Sequence, residues 1–243
     1  EIKKIIYLNS IKELDFINNK KKEIEIGAGT PLITFEKFIK KYYPDFNNIL
    51  KRYGSVQIRN VGTIAGNIAT ASPIGDTLPL LLSLDAKVII DGTKGKEIIS
   101  LNNFFVSYRK TKLKKGQFIY SIKIPIYKKN IFKAYKISKR YDDDISSVCG
   151  SFNIEIDKKR IKKIKIAYGG MSAVPKRAKN VEKILINSNF SEKTINKAIN
   201  NLSKDFKPID DMRASKSYRM EVAKNLLVKC FLEVKKKKNL RLS

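Results

Sequence analysis

An α+β fold in two parts is what this sequence predicts, and three observations carry the prediction. Helix-like and strand-like stretches follow one another without the regular strand–helix beat of a wound parallel sheet. Near residue 130 the texture shifts to long strands that alternate isoleucine with lysine, closed by helices. A hydrophobic share of 42% over 243 residues suffices to fill two modest cores, and no internal repeat is present.

In chain order, "SIKELDFI" (10–17) predicts a helix, with Ser10 and Glu13 as a capping box ahead of Ile11, Leu14, Phe16 and Ile17. "KEIEIGAG" (22–29) alternates as a strand does and ends in a glycine turn. A helix with Phe35, Phe38 and Ile39 on one face follows, and Pro44 stops or restarts it. A short helix begins near Asp76, and its "LPLLLSL" (78–84) is apolar enough to be buried. "AKVII" (86–90) and "QFIYSIKIP" (117–125) are strands, with Gly92 and Gly95 bracketing a turn between them. "IFKAYKISKR" (131–140), "VCGSFNIEI" (148–156) and "IKKIKIAYGGM" (161–171) predict three more strands, the last closing on Gly169-Gly170. "SEKTINKAINNL" (191–202) is a helix with Ser191 as N-cap. The last helix, from about Ser217 to Val234, aligns Tyr218, Val222, Leu226 and Cys230; Cys230 reads as a core residue, a reactive thiol being the other reading.

Composition removes several kinds of chemistry. The chain has no histidine, hence no imidazole general base, no histidine zinc ligand and no histidine-containing triad. Two cysteines make neither an iron–sulfur cluster nor a structural zinc site alone, so no metal and no catalytic side chain is expected within the chain. Cysteine usage suggests a reducing, cytoplasmic compartment, and no apolar run reaches membrane-spanning length. The start at "EIKK", without Met, reads as a fragment lacking upstream material. A net charge of +28 raises the possibility of a nucleic-acid partner. Yet nine of the 51 basic residues are arginine, the rest lysine spread along the chain, which suits a solvated surface better than a phosphate-reading patch. Residues 237–243 read as a charged tail.

Against this background "VGTIAGNIATASPIGD" (61–76) is small, neutral until its last residue and free of lysine. Gly62 and Gly66 remove bulk so that another group can approach the backbone. Thr63, Asn67, Thr70 and Ser72 supply hydrogen bonds, and Asp76 stands at a helix start as either N-cap or acceptor for a ligand hydroxyl. Glycine content alone leaves a packed turn and a phosphate or cofactor cradle both open.

The longer stretch "IRNVGTIAGNIATASPIGDTLPLL" (58–81) resembles the second flavin-binding segment of the molybdenum hydroxylases, xanthine dehydrogenase in particular. The family pattern is T-[IV]-G-G-N followed closely by A-S-P-x-x-D. "FFVSYRKT" (104–111), "KISKRYDDDIS" (136–146), "IAYGGMSAVPKRA" (166–178) and "DDMRASKSYRMEVAKNLL" (210–227) resemble further landmarks of that family in the same order. The "KRYDDDIS" and "DMRAS" forms are most similar to the bacterial small subunit.

This resemblance implies an FAD-binding domain of the vanillyl-alcohol-oxidase/PCMH type over 1–127, then over 128–236 a C-terminal α+β domain of the carbon monoxide dehydrogenase flavoprotein type. It implies that Thr63, Ile64, Ala65, Gly66 and Asn67 wrap the FAD, their backbone near its diphosphate, and that Asp76 bonds the polyol or phosphate-side hydroxyls. Tyr53 would supply an aromatic contact, Ile119 a backbone contact to the flavin, and Lys136 positive charge beside the ring. Asp143 would lie near the isoalloxazine, and Arg140 would help position the acidic loop. Ala65 stands where the family has a second glycine, adding a methyl where close approach is wanted, with slightly altered affinity expected. The family's first FAD loop would lie upstream of Glu1, so weak FAD binding by this piece is expected; "GAGT" (27–30) is assigned a structural role instead.

The implied function is that of the flavin subunit of a xanthine dehydrogenase-type enzyme. It would take electrons from iron–sulfur clusters and give hydride to NAD, with the molybdenum cofactor in a partner subunit and the iron–sulfur clusters in a partner domain or subunit. Alternatives are the flavin subunit of a related enzyme acting on an aldehyde, carbon monoxide or an aromatic thioester, a scaffold piece that has lost FAD, and a basic nucleic-acid-binding protein.

Overall fold

The computed structural model describes residues 7–236, so the charged tail lies outside the described residues. The first sheet is built from β1 (Ile17–Asn19), β2 (Glu23–Gly27), β3 (Lys87–Gly92), β4 (Glu97–Ser100) and β7 (Gln117–Pro125), in the order β1-β2-β7-β3-β4 with every neighbour antiparallel. A small hairpin, β5 (Phe105–Ser107) and β6 (Lys110–Thr111), precedes its middle strand β7. Between β2 and β3 the chain makes five helices: α1 (Leu32–Ile39), α2 (Pro44–Lys51), α3 (Val56–Val61), α4 (Ile64–Thr70) and α5 (Thr77–Ser83). A second antiparallel sheet holds β8 (Ile131–Ile137), β9 (Val148–Asp157), β10 (Arg160–Gly169) and β11 (Lys176–Arg177), in the order β11-β10-β9-β8. It is covered by α6 (Lys179–Leu185), α7 (Glu192–Ile199), α8 (Leu202–Asp205) and α9 (Lys216–Lys236).

Segregated antiparallel sheets with helices bear out the α+β expectation. Each sheet has its own buried cluster, one around Ile24, Phe35, Phe46 and Ile122, the other around Phe152, Ile166, Tyr168 and Leu227. The seam between them is filled by α5, all seven residues of which are buried. Leu78, Leu80, Leu81 and Leu82 are at most 1% exposed; burial of each contributes about 1.5–3 kcal/mol. Polar bonds fix the helix in place: Ser83 Oγ lies 2.7 Å from Ser151 Oγ, and Asn153 Nδ2 donates to the Ser83 carbonyl at 3.1 Å.

The first expected helix is absent. Residues 8–10 and 12–14 form single 3-10 turns, and Ile17 opens β1, paired with Ile26. Tertiary pairing overrides the capping signal, because Gly29 N donates to the Leu14 carbonyl and Gly27 N to that of Phe16. A Cβ on Gly27 would overlap the Leu14 carbonyl, which explains "GAGT" as a packing turn. Pro44 both stops and restarts: α1 ends at Ile39 and α2 begins on the proline itself. Ser191 caps α7 as expected, accepting from Thr194 N. On α9 the buried face is Ala223, Leu226, Leu227, Cys230 and Phe231, whereas Tyr218 is exposed; Cys230 is a core residue.

Candidate functional site

The small-residue window folds only half as a turn. Thr63 caps α4, its Oγ1 accepting from Gly66 N at 2.9 Å, and Ala71, in the left-handed region at φ 48°, ends the helix. Residues 72–76 then turn into α5, held to the second sheet by Gly170 N donating to the Pro73 carbonyl at 2.8 Å. Gly170 has φ +82°, and a Cβ there would overlap the Ser147 carbonyl, so the double-glycine turn is structural. Gly62, with an ordinary φ of -70°, is held by packing alone: a Cβ would stand 2.9 Å from the Ile58 carbonyl oxygen.

This window forms one wall of a cleft of about 540 Å³. The cleft also takes in Tyr53 and Gly54 after α2, Arg109 from the β5–β6 turn, Lys136 near the end of β8, and Asp143, Asp144 and Ile145 from the loop that follows. Seven sequence-predicted residues therefore meet at one place: Tyr53, Thr63, Gly66, Asn67, Asp76, Lys136 and Asp143. Gly66 lies open toward this cleft, since outside its own helix backbone and chain neighbours a Cβ there would meet only Thr63 Oγ1, at 3.2 Å. A wall without side-chain bulk, with polar groups beside it, fits the close backbone approach that a dinucleotide requires.

Four expected residues do not line it. Ile64 and Ala65 turn into the core below α4, with 1% and 6% exposed. The Ala65 methyl thus adds to the core rather than intruding on the cleft. Ile119 sits in the central strand β7, paired with Ile90, and its side chain packs in the first core. Arg140 is exposed; its N–H donates to Asp144 Oδ2 and its carbonyl accepts from Ser138 Oγ. The guanidinium that anchors the loop belongs to Arg52.

Beneath the cleft lies a buried polar cluster. Asp76 makes no side-chain cap to α5; its carboxylate accepts from Lys136 Nζ at 2.7 Å and from Ser146 Oγ at 2.5 Å. Asn67 braces the wall, its amide N–H donating to Tyr53 Oη at 3.0 Å while its oxygen accepts from Thr77 Oγ1. Burial, then the Asp76 charge, pushes the Tyr53 phenol up, so it stays protonated. The Asp144 carboxyl is held below its usual range chiefly by the Arg140 N–H, then by that of Ile145. Sequence reasoning missed Arg52, Arg109, Asp144, Ile145 and Ser146; all but Arg109 depend on how the loop after β8 folds back, which no local pattern encodes. A second cleft, about 310 Å³ and lined in part by Lys176, Lys179 and Lys204, contains none of the expected residues.

A family model for the FAD binding domain in molybdopterin dehydrogenase matches residues 1–127, and one for the CO dehydrogenase flavoprotein C-terminal domain matches 133–234. The chain belongs to this molybdenum hydroxylase flavin-subunit family. FAD is the family's cofactor in this part, and the chain is an oxidoreductase component; iron–sulfur and molybdenum cofactors reside in other domains or subunits. It is 31% identical over 235 residues to the glyceraldehyde dehydrogenase medium chain of Sulfolobus acidocaldarius, covering 95% of this chain and 82% of that one. Xanthine dehydrogenase of Blastobotrys adeninivorans is 34% identical over 83% of this chain, which corresponds to 16% of that much longer protein. In fold, the flavin-subunit chain is similar to one in carbon monoxide dehydrogenase from Hydrogenophaga pseudoflava, with TM-score 0.85 and 22% identity over 90% of this chain and 77% of the other. Among the described residues no helix is long and apolar enough to cross a membrane.

Proposed function

We propose that this protein is the flavin component of a xanthine dehydrogenase-type molybdenum hydroxylase, in which bound FAD joins one-electron iron–sulfur donors to NAD as hydride acceptor. The observation that carries the reading is the bulk-free wall at Gly66 in a cleft between the α3–α4 segment and the loop after β8. In this reading the backbone of Thr63–Asn67 faces the diphosphate, and the Tyr53 ring, braced by Asn67, forms an aromatic wall. Asp76 and Lys136 already neutralise one another, so the pair serves as a fixed dipole under the cofactor rather than as two independent contacts. Asp143 and Asp144 border the acceptor side, with Arg109 as the facing cation. Ile64, Ala65 and Ile119 act from below, by setting the backbone. The division into a cofactor-binding unit and a C-terminal unit at residues 127 and 128, and a cytoplasmic setting, belong to the same proposal.

An aldehyde as the enzyme's substrate is the second reading. It is favoured by coverage, since the chain spans 82% of the glyceraldehyde dehydrogenase medium chain but 16% of a xanthine dehydrogenase. The test is to purify the full-length protein with its partner subunits and assay NAD reduction with xanthine and with glyceraldehyde. Xanthine-dependent NADH formation supports the first reading and aldehyde oxidation alone the second. A complex loaded with flavin and molybdenum that reduces no acceptor with either substrate refutes both.

A further inference from the structure

Arg52 follows α2 immediately and precedes Tyr53 of the cleft wall. Its guanidinium spans the gap to the loop after β8: Nε donates to the Tyr141 carbonyl at 2.8 Å, Nη1 to the Lys136 carbonyl at 3.1 Å, and Nη2 to Ser138 Oγ at 3.3 Å. The same group stacks over the Tyr141 ring, 4.4 Å from its centroid. In return, the Arg52 carbonyl accepts from the buried Lys136 Nζ at 2.9 Å.

The loop needs such a tie. Asp143 adopts φ 51°, a left-handed backbone that is costly without glycine, and Asp142, Asp143 and Asp144 repel one another. Its internal bonds, Asp144 to the Arg140 and Ile145 N–H groups and Ser138 Oγ to the Arg140 carbonyl, shape it without placing it against the cleft. Further bonds leave this stretch: Lys139 Nζ to the Met212 carbonyl, which joins two exposed residues, and Ser146 Oγ to Asp76, which holds only the far end of the loop.

We infer that Arg52 is a positioning residue, the latch that sets Asp143, Asp144 and Ile145 against the cleft and so fixes the charge facing its occupant. Only the second half of this inference rests on the flavin reading above. Lysine does not substitute, because a point charge cannot serve three acceptors while lying flat on a ring.

Hydrogen exchange on the ligand-free chain tests the first half. Arg52→Ala should speed exchange of amides 139–145 about tenfold or more, with β9 unchanged and Arg52→Lys failing to restore protection. Unchanged rates in that segment overturn the inference. Should Arg52→Ala not fold, the Tyr141→Leu/Ser138→Ala double variant, which removes the stack and one bond, must accelerate the same amides or the idea fails. FAD titration and flavin potentiometry of the full-length protein test the second half. Arg52→Ala should weaken FAD about tenfold and shift its potential; a folded variant with wild-type affinity and potential overturns the second half. A wild type that binds no FAD defeats the functional reading, while the exchange data still decide whether Arg52 holds the loop.

Discussion

Lys136 Nζ lies 2.7 Å from Asp76 Oδ2, with 1% of the lysine side chain and 6% of the aspartate side chain exposed. Two opposite charges are thereby buried directly below the cleft. Each compensates the other's desolvation, and Ser146 and the Arg52 carbonyl complete the arrangement. Lys136→Met should cost about 3–5 kcal/mol, because the buried Asp76 carboxylate then loses its counter-ion. Asp76→Asn combined with Lys136→Met should recover much of that loss, as read from urea unfolding midpoints. Equal destabilisation in the single and double variants would refute the pairing as the cause.

Gly66 separates folding from binding. Alanine in a helix is favoured over glycine by about 0.8–1 kcal/mol, and beyond its own helix backbone and chain neighbours the new methyl would meet only the Thr63 cap oxygen. Gly66→Ala should therefore melt within a few degrees of the wild type yet retain much less FAD after gel filtration. Full flavin retention would move the cofactor away from this wall.

The loop should loosen in acid. The folded Asp144 carboxyl titrates below its ordinary value of 3.8 because it accepts the Arg140 and Ile145 N–H groups. A depressed folded value means that the stabilisation is present above the unfolded value and is lost as pH falls through the folded one. The amide resonances of Arg140 and Ile145 should accordingly titrate together, with a midpoint under 3.8. Asp144→Asn should abolish that transition.

Both thiols should be inert. Cys149 and Cys230 are 1% and 0% exposed, and burial pushes each thiol well above its ordinary range. Ellman's reagent should label neither in the native protein and both in urea; fast labelling of either would contradict its placement in the core.

Much of this molecule could be read before its coordinates. Alternating isoleucines in 161–169 and the apolar run 78–84 announce a strand and a buried helix because local period and burial coincide there. Seven of eleven expected site residues line one cleft, and all of these but Tyr53 lie in the two motifs at 58–81 and 136–146 that meet there. Failures arise where distant contacts decide. The capping box at Ser10 loses to the pairing of Ile17 with Ile26. Arg52 gives no local sign of meeting the acidic loop, since it lies 89 positions from its bonding partner Tyr141. Burial of Ile64 and Ala65 follows from helix α4 crossing the first core, which a glycine-rich window does not announce.

The seam helix α5 has a consequence for biosynthesis. Its leucines meet β9 and β10, strands translated some 70 or more residues later, and the bond from Gly170 to Pro73 closes over 97 positions. A nascent chain halted before residue 148 would carry an oily rod with one flank bare, a natural target for chaperones. The pocket wall beside that rod would stay unfinished until the second sheet emerged from the ribosome, so that any guest of the pocket must wait for strands made well after the wall itself.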